Sequence, residues 1–143
     1  MLDKLRAEAL ALIADTSHCT LSTTGPASVQ ASVVACMVRD DCLYVLVPST
    51  ADHLFNLEHD QEVVLTTALW QVRGAALALG GADGRHGTAP PEISARARSE
   101  GHTLVEVFPL RMQIEAAANR RYRETIDFDV SVFHASPTQG TSS

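Results

Sequence analysis

The chain has 143 residues, which fits a single domain with room for a buried core. Its 17 acidic and 11 basic side chains give a net charge of −6, which argues against nucleic acid and against an anionic membrane surface as partners. No apolar run is long enough to cross a bilayer, and the first residues read as an amphipathic helix rather than a signal sequence, so we expect a cytoplasmic protein.

The first part of the chain reads as a helix followed by three strands. Apolar residues recur at helical spacing from Leu2 to Ile13, which predicts an amphipathic helix. Residues 18–24 alternate as a first strand. Residues 27–38 alternate with apolar side chains at the odd positions, and both faces become apolar towards the end. We therefore expect a long strand with its odd face buried and its far end covered on both sides, paired in a hairpin with a strand over residues 43–47.

A short helix is predicted directly after the third strand. Ser49 to Asp52 matches a capping box, in which Ser49 accepts from first-turn amides and Asp52 reaches back. Unpaired amides at a helix start suit a phosphate, and the hydroxyls of Ser49 and Thr50 and the ring of His53 lie nearby, although these residues alone favour an ordinary capped helix. The apolar residues expected to face a barrel are Ala51, Leu54, Phe55 and Leu57.

Two residues further along the chain indicate irregular strand geometry. Gly74, inside a strand pattern, indicates a bulge or a close approach of another backbone or a ligand. Pro109 implies a bulge or an edge position in the last strong strand. The elements predicted here are strands over residues 61–67, 70–79 and 103–114, a flexible loop over 80–87 and a polar helix over 90–101.

The end of the chain is polar and basic. Arg120, Arg121 and Arg123 concentrate positive charge beside Tyr122, a pattern more typical of a solvated face than of a ligand contact. Residues 135–143 are expected to be a disordered tail, which leaves residues 1–134 as one domain.

The residues that carry chemistry match no catalytic or metal-binding motif. Cys19, Cys36 and Cys42 show no C-x-x-C spacing and fall within strand patterns, so we expect buried free thiols. The six histidines show no H-E-x-x-H or similar spacing, which disfavours a hydrolase or a metal enzyme. No catalytic residue is identified, and no metal site is expected.

The order of the elements predicts a mainly β protein built as a small antiparallel barrel with flanking helices. About six strands follow one another, with helices at the start, in the middle and after the fifth strand. Their short connections exclude a doubly wound parallel sheet, which needs a helix at nearly every crossover. Closure into a barrel removes the sheet edges.

The same order of elements resembles the pyridoxamine 5'-phosphate oxidase-like FMN-binding split-barrel family over roughly residues 5–114. The resemblance implies a six-stranded antiparallel split β-barrel and a homodimer that holds FMN at the subunit interface. The stretches that carry it are residues 19–23 with the Gly25 turn, 43–57, 63–66, 71–75 and 107–109. The cofactor contacts that it implies are Val33, Val34 and Gln71 beside the flavin ring, and Val47, Pro48, Ser49, Thr50 and His53 around the phosphate.

The resemblance also implies a function, an FMN-dependent oxidoreductase acting on a small-molecule substrate that the sequence does not identify. One departure bears on the cofactor, because many relatives place a lysine or arginine pair early in the helix where this chain has Asp52 and His53. The hold on a phosphate is then weaker unless Arg39, Arg73 or an arginine of a partner subunit compensates. The alternative is a non-catalytic split-barrel dimer that has lost FMN or binds another ligand such as haem.

Overall fold

The strands and helices follow the predicted order, with one strand added at the end. The computed structural model describes residues 2–40, 42–79, 90–115 and 123–127. The elements are α1 (Leu2–Ala14), β1 (His18–Thr23), β2 (Gln30–Arg39), β3 (Cys42–Pro48), α2 (Asp52–Leu57), β4 (Glu62–Thr66), β5 (Trp70–Leu79), α3 (Pro91–Ser99), β6 (His102–Glu115) and β7 (Arg123–Asp127). Within these residues, no helix has the length and apolar character needed to cross a membrane.

Six of the strands close into an antiparallel barrel. The strand order is β3-β2-β1-β4-β5-β6, and β6 returns to pair with β3. Each neighbouring pair is antiparallel, as short connections require. The predicted mainly β, six-stranded split-barrel architecture is therefore confirmed.

The long strand β6 pairs with different strands along its two halves. Its first half, residues 102–107, pairs with β3, whereas residues 111–115 pair with β7. The register against β5 shifts between Arg73 and Gly74, where Gly74 pairs with Pro109. A Cβ atom at Gly74 would lie 2.5 Å from the carbonyl oxygen of Phe108, so only glycine fits this crossing. The close approach at Gly74 is confirmed, and the irregularity expected at Pro109 lies beside it, at Leu110, which the register against β5 skips.

Apolar side chains form two clusters on opposite sides of the barrel wall. The interior cluster includes Leu21, Val45 and Leu65, and α1 packs Ala9 and Ile13 against it. The second cluster lies outside the wall, where Ile93 and Ala97 of α3 cover side chains of β2, β3, β5 and β6. The far end of β2 is thus covered on both faces, as its sequence predicted.

Several expectations need correction or fall outside the described residues. The strand β7, which contains Arg123, was not predicted. The capping box at Ser49 is wrong, because α2 begins at Asp52 with Ala51 as its N-cap and has no side-chain cap. Instead, Ser49 donates its amide proton to the carbonyl of Gly101 and stays beside β6. The predicted loop over residues 80–87, Arg120, Arg121, Tyr122 and the predicted tail lie outside the described residues.

Candidate functional site

Strands β2 and β3 separate halfway along β2. The last pair between them is Ala35 with Leu46. Beyond it, residues 30–34 of β2 remain paired with β1, and residues 47–48 of β3 remain paired with β6. We call the opening between residues 30–34 and residues 47–50 the split, and α2 follows directly from it.

The side of β2 at the split exposes apolar side chains. Val29 and Val33 are 70% and 69% exposed, and Ala31 between them is also exposed. The odd positions of this strand were predicted to be buried along its whole length. In the single chain, that prediction is wrong for the half of β2 at the split. The buried position here is Val34, on the even face that enters the barrel. This half of β2 therefore presents an exposed apolar strip beside the split.

The residues expected around a phosphate lie at the split, but they differ in exposure. Pro48, Ser49 and Thr50 are exposed, whereas Val47 is fully buried in the barrel interior. The Ser49 hydroxyl lies 2.9 Å from the hydroxyl of Thr103 on β6. Val34 also points into the interior, so Val34 and Val47 can offer a ligand only backbone groups.

His53 is buried below the split rather than exposed at its mouth. Its side chain is 3% exposed, and its two ring nitrogens contact hydroxyl groups from two strands. Nδ1 lies 2.8 Å from Oγ1 of Thr23, and Nε2 lies 2.6 Å from Oγ of Ser32. Desolvation lowers the pKa of His53 below its ordinary value, and the nearby carboxylate of Asp52 partly opposes that shift.

Asn56 lies one turn after His53 and joins the same network. It is completely buried and its Nδ2 donates to Oγ1 of Thr23 at 3.1 Å and to the carbonyl of Ser28 at 2.9 Å. Its Oδ1 accepts from the amide of Ala27 at 2.9 Å. Thus α2 faces the barrel with His53, Asn56 and Leu57, whereas Phe55, predicted to face it, is exposed.

Sequence reasoning missed Thr23, Ser32 and Asn56 as a group. A signal was present, because polar His53 and Asn56 are three residues apart on a helix and share the face of Leu57. Thr23 likewise continues the buried face of β1 after Cys19 and Leu21. Polar residues at buried positions require partners, and each of these supplies one to another.

Gln71 is not brought to the split within one chain. The register places Gln71 beside Thr66, Thr66 beside Thr20, and Thr20 beside Val33, so the four side chains form one row across the outer face of the barrel. Val33 and Gln71 are therefore three strand spacings apart, about 14 Å. Within one chain, a ligand would have to span this distance to contact both residues.

Among the described residues, an acidic side chain lies beside the split, and the two arginines considered as phosphate partners lie away from it. Asp52 is exposed in the first turn of α2. Arg39 pairs with Cys42 at the hairpin turn, four residues or about 13 Å along the strand from Ala35, where the split begins, and its Nε lies 4.0 Å from a carboxylate oxygen of Glu92. Arg73 has Glu62 at 3.8 Å. Both ion pairs are exposed and therefore weak, but neither arginine of the same chain lies at the split.

Neither a protein-family model nor a curated protein matches the sequence. Solved structures do match. A Clostridium acetobutylicum protein related to general stress protein 26, of the pyridoxinephosphate oxidase family, has a TM-score of 0.65 at 9% identity and covers 89% of this chain and 96% of its own. General stress protein 26 of Bacillus anthracis gives 0.57 at 15% identity, covering 87% and 98%.

The chain has the split-barrel fold of the pyridoxamine 5'-phosphate oxidase-like proteins. A haem-binding protein from Mycobacterium smegmatis shares this split-barrel fold, with a TM-score of 0.60 at 18% identity, covering 91% of this chain and 60% of that protein. The resemblance read from the sequence is thus confirmed for the fold, and of these three structural relatives only the mycobacterial protein is named for a ligand, haem.

The cysteines of this split barrel lie in apolar surroundings. Cys19 and Cys36 are buried, Cys42 is partly buried, and all three are free. A hydrogen bond with Cys36 and burial raise the pKa of Cys19, and burial and the neighbouring Glu106 raise the pKa of Cys42 to about 11. The raised pKa keeps the thiols of Cys19 and Cys42 protonated and poorly nucleophilic, which favours structural roles for these two residues. Within the part of the chain that the structure describes, no group of three or more His, Cys, Asp or Glu side chains is arranged to hold a metal ion.

Proposed function

We propose that the chain forms a homodimer that binds FMN at the split and acts as a flavin-dependent oxidoreductase on a small-molecule substrate. The observation that carries this proposal is the exposed apolar side of β2, with Ala31 and Val33 in the strand and Val29 just before it, next to a strand edge with no partner among the described residues. A second chain covers such a surface, and a flat apolar ring fits between the two.

The ring end of the site fits a flavin. Val33 offers an apolar contact, and the free edge of residues 30–34 offers backbone donors and acceptors to the polar rim of the ring. The second subunit would supply its Gln71 to the same flavin ring. This explains how Gln71 contacts the ring although it lies about 14 Å from Val33 within one chain. Bound flavin supplies the redox chemistry, and the protein supplies position and electrostatics.

The residues at the phosphate end of the proposed site suit FMN less well than those at the ring end. It offers the exposed Ser49 and Thr50 and the amides of α2, which receive no side-chain cap. These are neutral donors, whereas Asp52 beside them is acidic and His53 is buried. Hydrogen bonds from charged donors are about twice as strong as those from neutral ones, so we infer a modest affinity for FMN.

A haem-binding split barrel is the second candidate, favoured by the similar fold of the haem-binding mycobacterial protein. Two described histidines border the split: His53, whose ring nitrogens are both engaged by hydroxyls, and His102 of β6, which pairs with Pro48 and contacts the carbonyl of Glu100 through Nδ1. An axial haem ligand needs one free ring nitrogen, so His53 as folded does not favour this candidate.

Parallel titrations of purified protein with FMN and with haemin test the proposal. Saturable quenching of flavin fluorescence together with a dimeric mass supports it. A Soret band without flavin binding selects the haem candidate. A dimer that takes up neither ligand contradicts both, and a monomer that binds FMN contradicts the interface placement.

A further inference from the structure

The donor and the acceptor of each hydrogen bond around His53 can be assigned in turn, starting from the backbone. The amide of Ala27 can only donate, so it fixes the oxygen of the Asn56 amide on its side at 2.9 Å. The Asn56 Nδ2 group then faces the carbonyl of Ser28 and the hydroxyl of Thr23, and both contacts are consistent with this orientation. The orientation of Asn56 is therefore set by two backbone groups of the β1–β2 turn.

The next link is the hydroxyl of Thr23. It accepts a proton from Asn56 and is 1% exposed, so its own proton needs an acceptor inside the protein. In the described residues that acceptor is His53 Nδ1, at 2.8 Å. If Nδ1 were protonated instead, both Asn56 Nδ2 and His53 Nδ1 would donate to the Thr23 hydroxyl. The proton of that hydroxyl would then be buried without an acceptor. The network thus selects the tautomer with the proton on Nε2.

The last link reaches the surface of the split. A neutral His53 protonated on Nε2 donates to Oγ of Ser32 at 2.6 Å. Desolvation of the ring keeps it neutral near pH 7 by lowering its pKa. The proton of Ser32 then points away from His53, and Ser32 is exposed on the half of β2 that borders the split.

We propose that Ser32 is a ligand-binding residue that donates its hydroxyl proton to an acceptor on the flavin ring, a carbonyl oxygen or an unprotonated ring nitrogen. This inference rests on the proposed flavin site. Thr23, His53 and Asn56 are positioning residues, because they fix the direction of the Ser32 hydroxyl without reaching the ligand. A hydroxyl oriented before binding loses little rotational freedom on binding, which adds to affinity.

Titrations of the Ser32→Ala variant with FMN and with riboflavin test the ligand contact. Loss of one neutral hydrogen bond should weaken binding of both flavins by roughly three- to tenfold, and Ser32→Thr should retain the contact. The control is Ser99→Ala, which removes an exposed hydroxyl on α3 that bonds to the carbonyl of Arg96. An unchanged affinity overturns the proposal. A loss seen with FMN but not with riboflavin overturns it as well, because Ser32 would then contact the phosphate.

Nitrogen-15 NMR of the His53 ring tests the direction of the network without any ligand. The expected spectrum shows Nε2 protonated and Nδ1 unprotonated, unchanged in Thr23→Ser and altered in Thr23→Val. A proton on Nδ1 in the unmodified protein overturns the inference even if flavin binds. Failure of the unmodified protein to bind either flavin instead overturns the proposed function and removes the ligand contact with it.

Discussion

The side-chain oxygen of Asn56 accepts a 2.9 Å hydrogen bond from the backbone amide of Ala27, which ties α2 to the turn between β1 and β2. The same turn includes Gly25, where a Cβ atom would lie 2.7 Å from that oxygen. The close approach leaves no room for another side chain at residue 25. Helix α2 and the turn therefore form one unit that supports the half of β2 at the split.

Replacing Asn56 with Ala should destabilise the protein by about 2–3 kcal/mol, because it leaves the Ala27 amide and the Ser28 carbonyl without their partner. Urea unfolding monitored by circular dichroism measures this change. The matched control is Glu58→Ala, an exposed position at the end of the same helix, which should change the free energy of unfolding by less than about 0.5 kcal/mol. Equal losses in the two variants would contradict the network.

Stability should fall as the pH drops below the ordinary pKa of histidine, about 6.5. Burial lowers the pKa of folded His53, opposed in part by Asp52, so the unfolded chain binds this proton first. Stability is then complete above the unfolded pKa and declines below it, by at most about 1.4 kcal/mol per pH unit for one group.

Urea unfolding of His53→Gln at pH 7.5 and pH 5.5 measures that contribution. The variant should lose less stability between these two pH values than the unmodified protein, whereas His59→Gln, at an exposed histidine just after α2, should keep the full difference. A pH dependence of the same size in His53→Gln would mean that other groups cause it.

The substitution Val33→Asp should dissociate the dimer. It places a charge in the middle of the exposed apolar side of β2, which we expect a second chain to cover, and each copy would bury one uncompensated carboxylate. We expect the dissociation constant to rise by at least roughly 30-fold, about 2 kcal/mol. Sedimentation equilibrium measures the constant, with Ala95→Asp on the exposed side of α3 as the control. A Val33→Asp protein as dimeric as the control would place the interface elsewhere.

Reversing the charge of Asp52 should tighten FMN binding. Asp52 is exposed in the first turn of α2 beside the expected phosphate, and Asp52→Lys replaces repulsion with a charged donor. We expect about a tenfold gain in affinity. Glu58→Lys makes the same change in net charge at the other end of α2 and should have little effect. Equal gains for both variants would show a general electrostatic effect rather than a phosphate contact.

The sequence predicted the fold because its signals are local. Alternation identifies β1 and β2, a run of β-favouring residues identifies β3, and Gly74 and Pro109 indicate an irregularity that the two strands turn out to share. The missed strand, β7, is short and follows a basic stretch with no strong alternation. The predicted capping box failed because Ser49 remains beside β6, a long-range pairing that a local motif cannot reveal.

The site was less predictable because its features depend on contacts between residues far apart in the sequence. Exposure of Val33 depends on where β3 leaves β2, and burial of His53 depends on hydroxyls 30 and 21 residues away in sequence. A hydrophobic pattern indicates that one side of a strand is buried, but not whether the same chain or another chain buries it. The position of Gln71, on the outer face of a distant strand, has the same explanation.

The central claim is that FMN binds between two subunits at the split, and fluorescence titration of FMN with the unmodified protein and with Val33→Asp tests it most directly. The account predicts saturable quenching by the dimeric unmodified protein and loss of that quenching when Val33→Asp separates the subunits. Undiminished binding by a monomeric Val33→Asp protein, or no quenching by the unmodified dimer, would contradict it.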